Sequence, residues 1–379
     1  MAFGTLSVDR ITSSDYTLID NYIADSGRPL SNRNLIINGA MQVAQRNTSV
    51  TGITSAGYYT VDRWKSEPSS AGTWTMNVES SGPTNTEFRK SANVICTTAD
   101  SSLSASDYFV FSQRIEGQNL QGIKKGTSEA ESLTVSFWVK SGNTGTYICE
   151  FYDNDNTRQI SKSYTIDAAD TWEKKTLTVP SDTTGQLDDN NATSFILYFW
   201  LAAGTNFTSG TLNDTAWASS TNANRVVGQL NLANAVGNYW AVTGVQLETG
   251  TVATPYEMRS YGQELALCQR YYYRSYPTAT YSWSATGYCN TTTIASFRLL
   301  TKVTMRVAPS ALEQSGTAAH YAIQGTFGGI TCSSVPVYDN SSTEALGFQF
   351  TVSSGLTAGQ SVLARCANDS GYLGWSAEL

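Results

Sequence analysis

The sequence offers little support for nucleophilic or metal-assisted chemistry, because such sites usually depend on histidine, which is scarce here. Its 379 residues include one histidine, His320, in the stretch SGTAAHYAIQG, and no nucleophile motif lies near it. Zinc and non-haem iron sites usually need several histidines or clustered cysteines, and the sequence has neither. The glycine-rich motifs that bind nucleotide phosphates are also missing. We therefore expect a hydrogen-bonded structural histidine and no enzyme activity.

Carboxylates are the remaining candidates for chemistry. A glycosidase needs two of them about 5–10 Å apart across the sugar, and 31 acidic residues leave glycan cleavage open as a minor alternative. In the stretch DNDNT, Asp153 and Asp155 stand two positions apart and Asn156 follows. Oxygen ligands at this spacing can bind Ca²⁺, whereas Asp and Asn also favour hairpin turns through local hydrogen bonds. The sequence predicts a turn here, with Ca²⁺ at Asp153 and Asp155 as the alternative and no other cofactor.

Aromatic side chains on the polar faces of strands are candidates for binding a sugar ring. In LTVSFWVK, every second residue from Leu133 to Val139 is apolar, so Trp138 and Lys140 belong to the opposite, polar face. Tyr152 lies opposite the apolar side of its own strand in the same way. We predict that Trp138, Lys140 and Tyr152 contact a ligand. A loop or a second subunit over the tryptophan is the alternative.

Charge and hydropathy exclude two classes of partner. Lys and Arg number 24 against 31 Asp and Glu, so the formal net charge is −7, which disfavours nucleic acid and anionic membranes as main partners. The longest apolar run, FILYFWLAA, is much shorter than the ~20 residues that span a bilayer. We interpret it as a buried strand and expect no membrane insertion. The opening MAFGTLSVDR lacks the apolar run of a signal peptide, and six scattered cysteines indicate free, mostly buried thiols.

Short alternating segments separated by turn residues run through most of the chain, which indicates an all-β fold of sandwich or jelly-roll type. The first β pattern begins at NLIINGAMQVAQRN, where Asn38-Gly39 predicts a tight turn, and a late one covers residues 295–309. The clearest alternating segments are WTMNV, DYFVFSQRIEG, SLTVSFWVKSG, TYICEFYD, KKTLTVP and NYWAVTGVQLE.

One segment has helical periodicity instead. In YGQELALCQRYYYR, the residues Tyr261, Leu265, Cys268 and Tyr272 follow one another at spacings of four, three and four. Such a stripe is suited to pack on its own domain, as most amphipathic helices do, or to meet its copies along a threefold axis. The sequence leaves both possibilities open, and the second makes these four residues an oligomer interface.

Several motifs resemble those of a known class of proteins. The stretches NLIINGAMQVAQR, YTVDRW and VQLETGTVATPYEMRSYGQELALCQRYYYR resemble a module of bacteriophage tail-fibre and receptor-binding proteins, especially in phages of marine bacteria. The most specific part is QLE-x-G-x-x-ATP-Y-E followed by EL-x-x-CQRYY. The opening MAFGTLSVD and the closing MRVAP, LTAGQ and SAEL are similar to the ends of such proteins. SFWVKSG with TWEKKTLTVP is similar to carbohydrate-binding jelly rolls.

The elements and the resemblance together predict four parts. These are a particle-attachment segment and linker at 1–32, a jelly-roll β-sandwich at 33–258, a linking helix at 259–275, and a C-terminal receptor-binding or tip sandwich at 276–379. The resemblance implies a homotrimer on the virion, at the tail or capsid surface, made in the host cytoplasm without a signal peptide. Residues 1–32 would contact other virion proteins.

The function that the resemblance implies is adhesion. The protein would bind a host-surface glycan or protein by multivalent contacts without catalysis. The alternatives are a capsid-attached decoration fibre, and a tailspike depolymerase that cleaves host polysaccharide.

Overall fold

The structure, a computed structural model, describes residues 32–275 and 281–379. The predicted attachment segment 1–32 therefore lies, except for its last residue, outside the described residues. Within these residues all paired strands are antiparallel, and helices are few and short, which confirms the predicted all-β fold class. No helix in the described ranges is both long and apolar enough to cross a membrane.

The first sandwich consists of two six-stranded sheets, which we call sheet A and sheet B. In spatial order, sheet A contains β1 (Ser49–Ile53), β3 (Thr73–Glu79), β4 (Ser91–Thr98), β12 (Tyr239–Thr249), β6 (Leu133–Ser141) and β9 (Glu173–Val179). Sheet B contains β11 (Ala218–Ser219), β8 (Arg158–Ile166), β7 (Gly145–Asp153), β10 (Thr193–Ala203), β5 (Tyr108–Glu116) and β2 (Trp64–Ser69).

Alternation along these strands places their apolar side chains between the two sheets. Phe137 of β6 and Phe199 of β10, whose ring centroids are 5.0 Å apart, meet across this core. Trp64 stacks on Phe111 within sheet B, at 5.0 Å and an interplanar angle of 6°. The run FILYFWLAA lies in β10, so its interpretation as a buried strand is confirmed.

The second sandwich packs a small sheet on a large one. Its core includes residues from Tyr273 to Ala377, whereas the core of the first sandwich includes residues from Ile36 to Leu247. Sheet C contains β13 (Tyr272–Ser275), β22 (Leu373–Ser376) and β16 (Glu313–Gln314). Sheet D contains β18 (Gly328–Thr331), β17 (Tyr321–Gly325), β21 (Ser361–Cys366), β14 (Trp283–Cys289), β15 (Ile294–Leu300), β20 (Ala345–Thr351) and β19 (Val337–Asp339).

Two α-helices occur in the described residues, α1 (Thr205–Thr208) and α2 (Tyr261–Gln269). Ser260 and Gln263 form a capping box that satisfies free backbone N–H groups at the start of α2. The described 3₁₀ turns are Gly117–Asn119, Gln121–Ile123, Asn222–Asn224, Leu232–Asn234 and Ala318–His320.

The helix α2 is shorter than the predicted range 259–275. It ends at Gln269, and β13 begins at Tyr272 and pairs with β22. The three tyrosines 271–273 favour extended structure, and pairing in sheet C satisfies the backbone there. Two predicted strand segments also differ from the structure. Residues 34–48 are irregular, with Asn38 at φ 58° in a turn, and only the first part of 295–309 is a strand, since β15 ends at Leu300.

The four residues predicted to form an oligomer interface, Tyr261, Leu265, Cys268 and Tyr272, divide into two that are buried and two that lie at the surface. Cys268 and Tyr272 are fully buried inside one chain, so neither is available to meet a copy of itself. Tyr261 is 57 % exposed, and Leu265 is half-buried. Only Tyr261 and Leu265 of the four therefore lie at the surface. All six cysteines are free and buried, as the sequence predicts.

Charged side chains fill the junction between the two sandwiches. Arg63 donates to Glu378 and lies over the Tyr271 ring, 3.4 Å from its centroid. Arg46 lies 3.5 Å from the Tyr272 ring centroid and forms a 3.4 Å ion pair with the same Glu378. We call this set the junction cluster. Its side chains are almost fully buried, so it joins the two sandwiches through paired charges and through guanidinium groups packed on tyrosine rings.

Asp62, beside the junction cluster, makes stability depend on pH. Burial raises its pKa from 3.8 to about 6, against the lowering effects of Arg46 and of the hydrogen bonds from Gln45. Because the folded carboxyl binds its proton more tightly than the unfolded one, this group favours folding below about pH 4. That contribution is lost as the pH rises through about 6, with a total on the order of 3 kcal/mol. We expect urea denaturation to show that the unfolding free energy of wild type, relative to that of Asp62→Asn, falls as the pH rises from about 4 to about 6; parallel pH profiles would contradict the assignment.

Candidate functional site

The two outer faces of the first sandwich differ in what covers them. The outer face of sheet B is covered by the segment 204–230, where Val226 and Phe207 pack with Trp200 in a satellite apolar cluster. The outer face of sheet A instead carries two clefts, lined by side chains from β6 and its neighbours. The open face of sheet A is therefore the better candidate for binding a ligand.

Trp138 lies within this open face. In the strand register it stands between Thr243 of β12 and Lys174 of β9, and its side chain is half-buried. Its strand neighbours Phe137 and Val139 face the core, so the outward direction of Trp138 agrees with the alternation of the sequence. Side chains directly opposite on neighbouring strands lie about 5 Å apart, which places Lys174 within reach of the same ligand.

The first cleft has a volume of about 350 Å³, with Trp138 and Ser136 at its base. One wall is formed by residues 86–88 and the other by residues 253–256. The two walls meet where Tyr256 packs edge-on against Phe88, at a centroid distance of 4.9 Å. The lining residues are Thr86, Glu87, Phe88, Ser136, Trp138, Lys174, Gly244, Ala253, Thr254, Pro255 and Tyr256.

A polar network holds the wall 253–256 in place. Glu248 accepts from the Thr254 backbone N–H at 2.9 Å and from its hydroxyl at 2.7 Å. Gln246 donates to Glu248 at 2.9 Å and accepts from the Glu257 N–H at 2.8 Å. These are the polar residues of the QLE…ATPYE motif. The motif therefore builds one wall of the cleft, a role that its spacing alone did not reveal.

The second cleft lies on the same face and has a volume of about 310 Å³. Lys140 places its ammonium 5.3 Å from the Trp172 ring centroid and 5.8 Å from that of Tyr239. The Tyr239 hydroxyl donates to Asp170 at 2.5 Å, and burial together with this carboxylate raises the Tyr239 pKa. The lining residues are Glu79, Ser81, Ser91, Asn93, Ile95, Lys140, Gly237, Tyr239 and Ala241.

The two clefts are adjacent. Trp138 lines the first and Lys140 the second, two residues apart on one face of β6, which is about 7 Å along the strand. We call both together the sheet A groove. Each cleft has one carboxylate among its lining residues, Glu87 in the first and Glu79 in the second. Sequence reasoning missed Tyr239 and Tyr256, which line the groove, because strand pairing and wall placement decide their positions. It also missed Trp172, which lies beside the Lys140 ammonium.

Tyr152 does not join Trp138 and Lys140. It lies on the outer face of sheet B, where its ring packs edge-on against Tyr198 at 6.2 Å. The Arg225 guanidinium lies 5.2 Å from the Tyr152 ring centroid and forms a 2.7 Å ion pair with buried Glu150. The two stacked sheets, about 10 Å apart, therefore separate Tyr152 from the sheet A groove.

The proposed calcium ligands lie in the hairpin turn between β7 and β8. Asp153 is fully buried, and its carboxylate accepts from Lys125 at 2.5 Å and from the Asn156 backbone N–H at 3.0 Å. Asp155 instead accepts from the Asp188 N–H at 2.9 Å. The two carboxylates therefore have different partners and do not surround a common position for an ion. No group of three or more His, Cys, Asp or Glu side chains suited to a metal occurs in the described ranges.

The Lys125 ammonium is surrounded by oxygen atoms, as a bound metal cation would be. Besides Asp153 it contacts Asp182 at 2.9 Å and the backbone carbonyls of Thr184 and Gly185 at 2.8 and 3.0 Å.

We expect Lys125→Ala to lose about 3–5 kcal/mol of unfolding free energy, because buried carboxylates lose their counter-charge. Urea denaturation measures this loss. Millimolar CaCl₂ should restore part of it in the variant and leave wild type unchanged; stabilisation of wild type would favour the calcium alternative.

A third cavity, of about 450 Å³, lies next to Lys125 between residues 120–129 and 186–187. Its lining contains no aromatic side chain, in contrast to the sheet A groove.

His320 lies in the second sandwich, where its Nδ1 is 2.8 Å from the Ser315 hydroxyl, which in turn is 2.9 Å from the Tyr321 hydroxyl. The histidine is thus hydrogen-bonded, as the sequence predicts.

Comparison with known proteins shows only distant similarity. No protein-family model and no curated protein matches the chain. Among solved structures, the enzymatically active domain of bacteriophage CBA120 tailspike protein 4 is 14 % identical, with a TM-score of 0.30; the match covers 57 % of this chain and 21 % of that one. TmCBM61 in complex with β-1,4-galactotriose is 13 % identical, with a TM-score of 0.29, over 57 % of this chain and 99 % of that one.

The family 11 carbohydrate-binding module from Clostridium thermocellum is 12 % identical, with a TM-score of 0.28, over 54 % of this chain and 98 % of that one. The chain thus spans about a fifth of the tailspike domain's length and nearly all of the two modules. At these TM-scores the likeness carries no argument, so the site rests on the chain's own geometry.

Proposed function

We propose that this protein is a non-catalytic adhesion protein of a virion that binds a host-surface glycan in the sheet A groove. The observation that carries the proposal is the position of Trp138, half-buried at the base of a 350 Å³ cleft on the open face of sheet A. A ring held in this way offers a flat apolar surface to the apolar face of a sugar.

The surrounding side chains suit a polyhydroxylated ligand. Ser136, Thr86 and Glu87 offer hydroxyl and carboxylate groups next to the Trp138 ring, and Lys174 adds a cation. Asn93, Ser81 and Ser91 extend this polar lining into the second cleft. A groove that continues past one ring favours a chain of sugars over a single one. Affinity per site would be modest, and many copies on one particle would supply avidity.

The resemblance of the sequence to phage tail-fibre proteins supports a place on a virion. In this proposal residues 1–32 attach the protein to other virion proteins at the tail. A capsid-attached decoration fibre is the second possibility, and it differs only in the partner of that segment. A host-surface protein is the alternative receptor.

Affinity electrophoresis of the full chain in gels that contain dextran, a galactan, a xylan, polygalacturonate or a sulfated dextran tests the proposal. We expect at least one polysaccharide to retard the wild type, and free oligosaccharide of that kind to reverse the retardation. A parallel assay for new reducing ends separates binding from cleavage. Release of reducing ends would overturn the non-catalytic mechanism in favour of a depolymerase, and no retardation by any polysaccharide would oppose glycan binding.

A homotrimer is part of the proposal and has its own test. Tyr261 and Leu265 are the two stripe residues left at the surface, and exposed Met258 lies close to them in sequence. We expect light scattering on a sizing column to give three times the chain mass of 41.0 kDa for wild type. The double variant Tyr261→Glu, Leu265→Glu should lower that mass, because like charges would be buried three times over. A monomeric wild type would contradict the trimer.

A further inference from the structure

The second sandwich has an uncovered sheet face of its own. Apolar side chains such as Phe297, Phe348 and Val362 face its core, so the alternate residues of sheet D face outward. Residues that stand opposite each other on neighbouring strands form rows across the sheet. One outward-facing row crosses all seven strands and consists of Gly329, Gln324, Leu363, Thr286, Arg298, Gly347 and Asp339. We call this surface, with the rows on either side of it, the sheet D face.

The charges on the sheet D face are few and uneven. Its seven strands contain three charged residues, Arg298, Asp339 and Arg365, and all three point outward. Arg298 and Asp339 form a 2.8 Å ion pair. Arg365 forms no ion pair or hydrogen bond with any residue in 32–275 or 281–379, and its buried Nε has no partner. The sheet D face thus has an excess positive charge in a chain whose net charge is −7.

The unpaired guanidinium is held in a fixed place. It lies 4.4 Å from the Tyr281 ring centroid. It also lies over Gly329 of β18, because a Cβ added to that glycine would be 2.1 Å from Arg365 Nη2. An arginine so positioned, with its donors unused, is suited to bind a carboxylate or sulfate in the two-pronged geometry of the guanidinium group.

The row of residues next to that of Arg298 contains side chains of the types that bind sugars in proteins. It runs Ser361, Tyr288, Ser296, Gln349 and Val337 across five strands. The Tyr288 ring is 56 % exposed. The Ser296 hydroxyl beside it accepts from Asn290 at 2.8 Å and from Gln349 at 3.1 Å. The exposed Tyr288 ring offers stacking, and the exposed Ser361 hydroxyl on the neighbouring strand offers a hydrogen bond.

We infer that the sheet D face binds an acidic polysaccharide. Arg365 binds a carboxylate or sulfate of one sugar, and Tyr288 stacks on another. Arg365 stands four residues along β21 from Ser361, the neighbour of Tyr288, which is about 14 Å. The ligand is therefore an oligosaccharide rather than a single sugar. This site lies in a different sandwich from the sheet A groove and does not depend on it.

A second copy of the chain is the competing occupant, and the composition of the face disfavours it. Tyr and Arg are enriched at protein interfaces, but Lys, Glu and Asp are depleted there. Two copies that met through this face would bring together two surfaces with the same excess positive charge, and the exposed apolar residues Leu300 and Val337 lie at a strand end and on an edge strand rather than beside Tyr288.

The test compares the full chain with variants by affinity electrophoresis in sulfated dextran, polygalacturonate and neutral dextran. We expect wild type to bind a charged polymer more strongly than dextran, and added NaCl to weaken that binding. Arg365→Gln should weaken binding to the charged polymer roughly tenfold or more, because a charge-assisted hydrogen bond is lost. Gly329→Ala should weaken it too, because the new methyl group displaces the guanidinium without changing the charge.

Two controls make the result specific. Lys124→Gln removes one positive charge from an exposed position in the first sandwich and should leave binding unchanged. Repeating the comparison of Arg365 and Gln at position 365 in the Trp138→Ala background separates this site from the sheet A groove, since the loss caused by Arg365→Gln should be the same with and without the groove tryptophan. Equal binding by wild type and Arg365→Gln would overturn the inference. A lower solution mass for Tyr288→Ala or Arg365→Gln would also overturn it, because the face would then join copies of the chain.

Discussion

Trp138→Ala is expected to weaken glycan binding by about thirtyfold or more and to leave the fold intact. The half-buried ring lies in a cleft between two walls, the setting in which truncation of an aromatic residue typically costs about 2 kcal/mol or more of binding free energy. The ring faces away from the core between the sheets, so its removal opens no internal cavity. Calorimetric titration with the oligosaccharide identified by electrophoresis measures the change, and circular dichroism checks the fold.

Two matched variants define where the ligand lies. Lys140→Gln tests the second cleft, and we expect a smaller loss of affinity that is sensitive to salt for a charged ligand. Tyr152→Phe alters the third residue of the sequence-based set, which lies on the outer face of sheet B, and should bind like wild type. If Trp138→Ala bound as tightly as wild type, the sheet A groove would not be the glycan site.

Glu378→Ala is expected to be the most destabilising single change at the junction of the two sandwiches. It leaves Arg63 and Arg46 without their carboxylate, and both guanidinium groups are almost completely buried. Removing one partner of a buried ion pair costs about 3–5 kcal/mol, because the remaining charge keeps its desolvation penalty. Urea denaturation followed by fluorescence measures the loss.

The junction cluster also couples the two sandwiches, so the same variant should change how the chain unfolds. We expect wild type to unfold in one transition and Glu378→Ala to show two, as each core melts separately. Lys124→Ala is the control, because it breaks an ion pair whose side chains are 53 % and 38 % exposed and should cost less than about 1 kcal/mol. A single unshifted transition for Glu378→Ala would show that the cluster does not join the sandwiches.

The sequence by itself determined the fold class and the direction of Trp138. Alternation is a local property, since successive side chains of a strand point to opposite faces. It therefore separates Trp138 and Lys140 from Phe137 correctly, and it places the apolar run of β10 in the core. The turn at Asp153 also follows from local chemistry, because Asp and Asn bond their own backbone.

Only the tertiary structure decided which of these features come together. Alternation assigns Tyr152 to an outward face, but strand pairing between distant residues decides that this face belongs to sheet B while that of Trp138 belongs to sheet A. Asp153 receives a counter-charge from Lys125, which is far from it in sequence. The helical spacing that includes Tyr272 gives way to a strand because β22 pairs with it. In each case a non-local contact outweighs the local pattern, since burial and pairing contribute more free energy than propensity does.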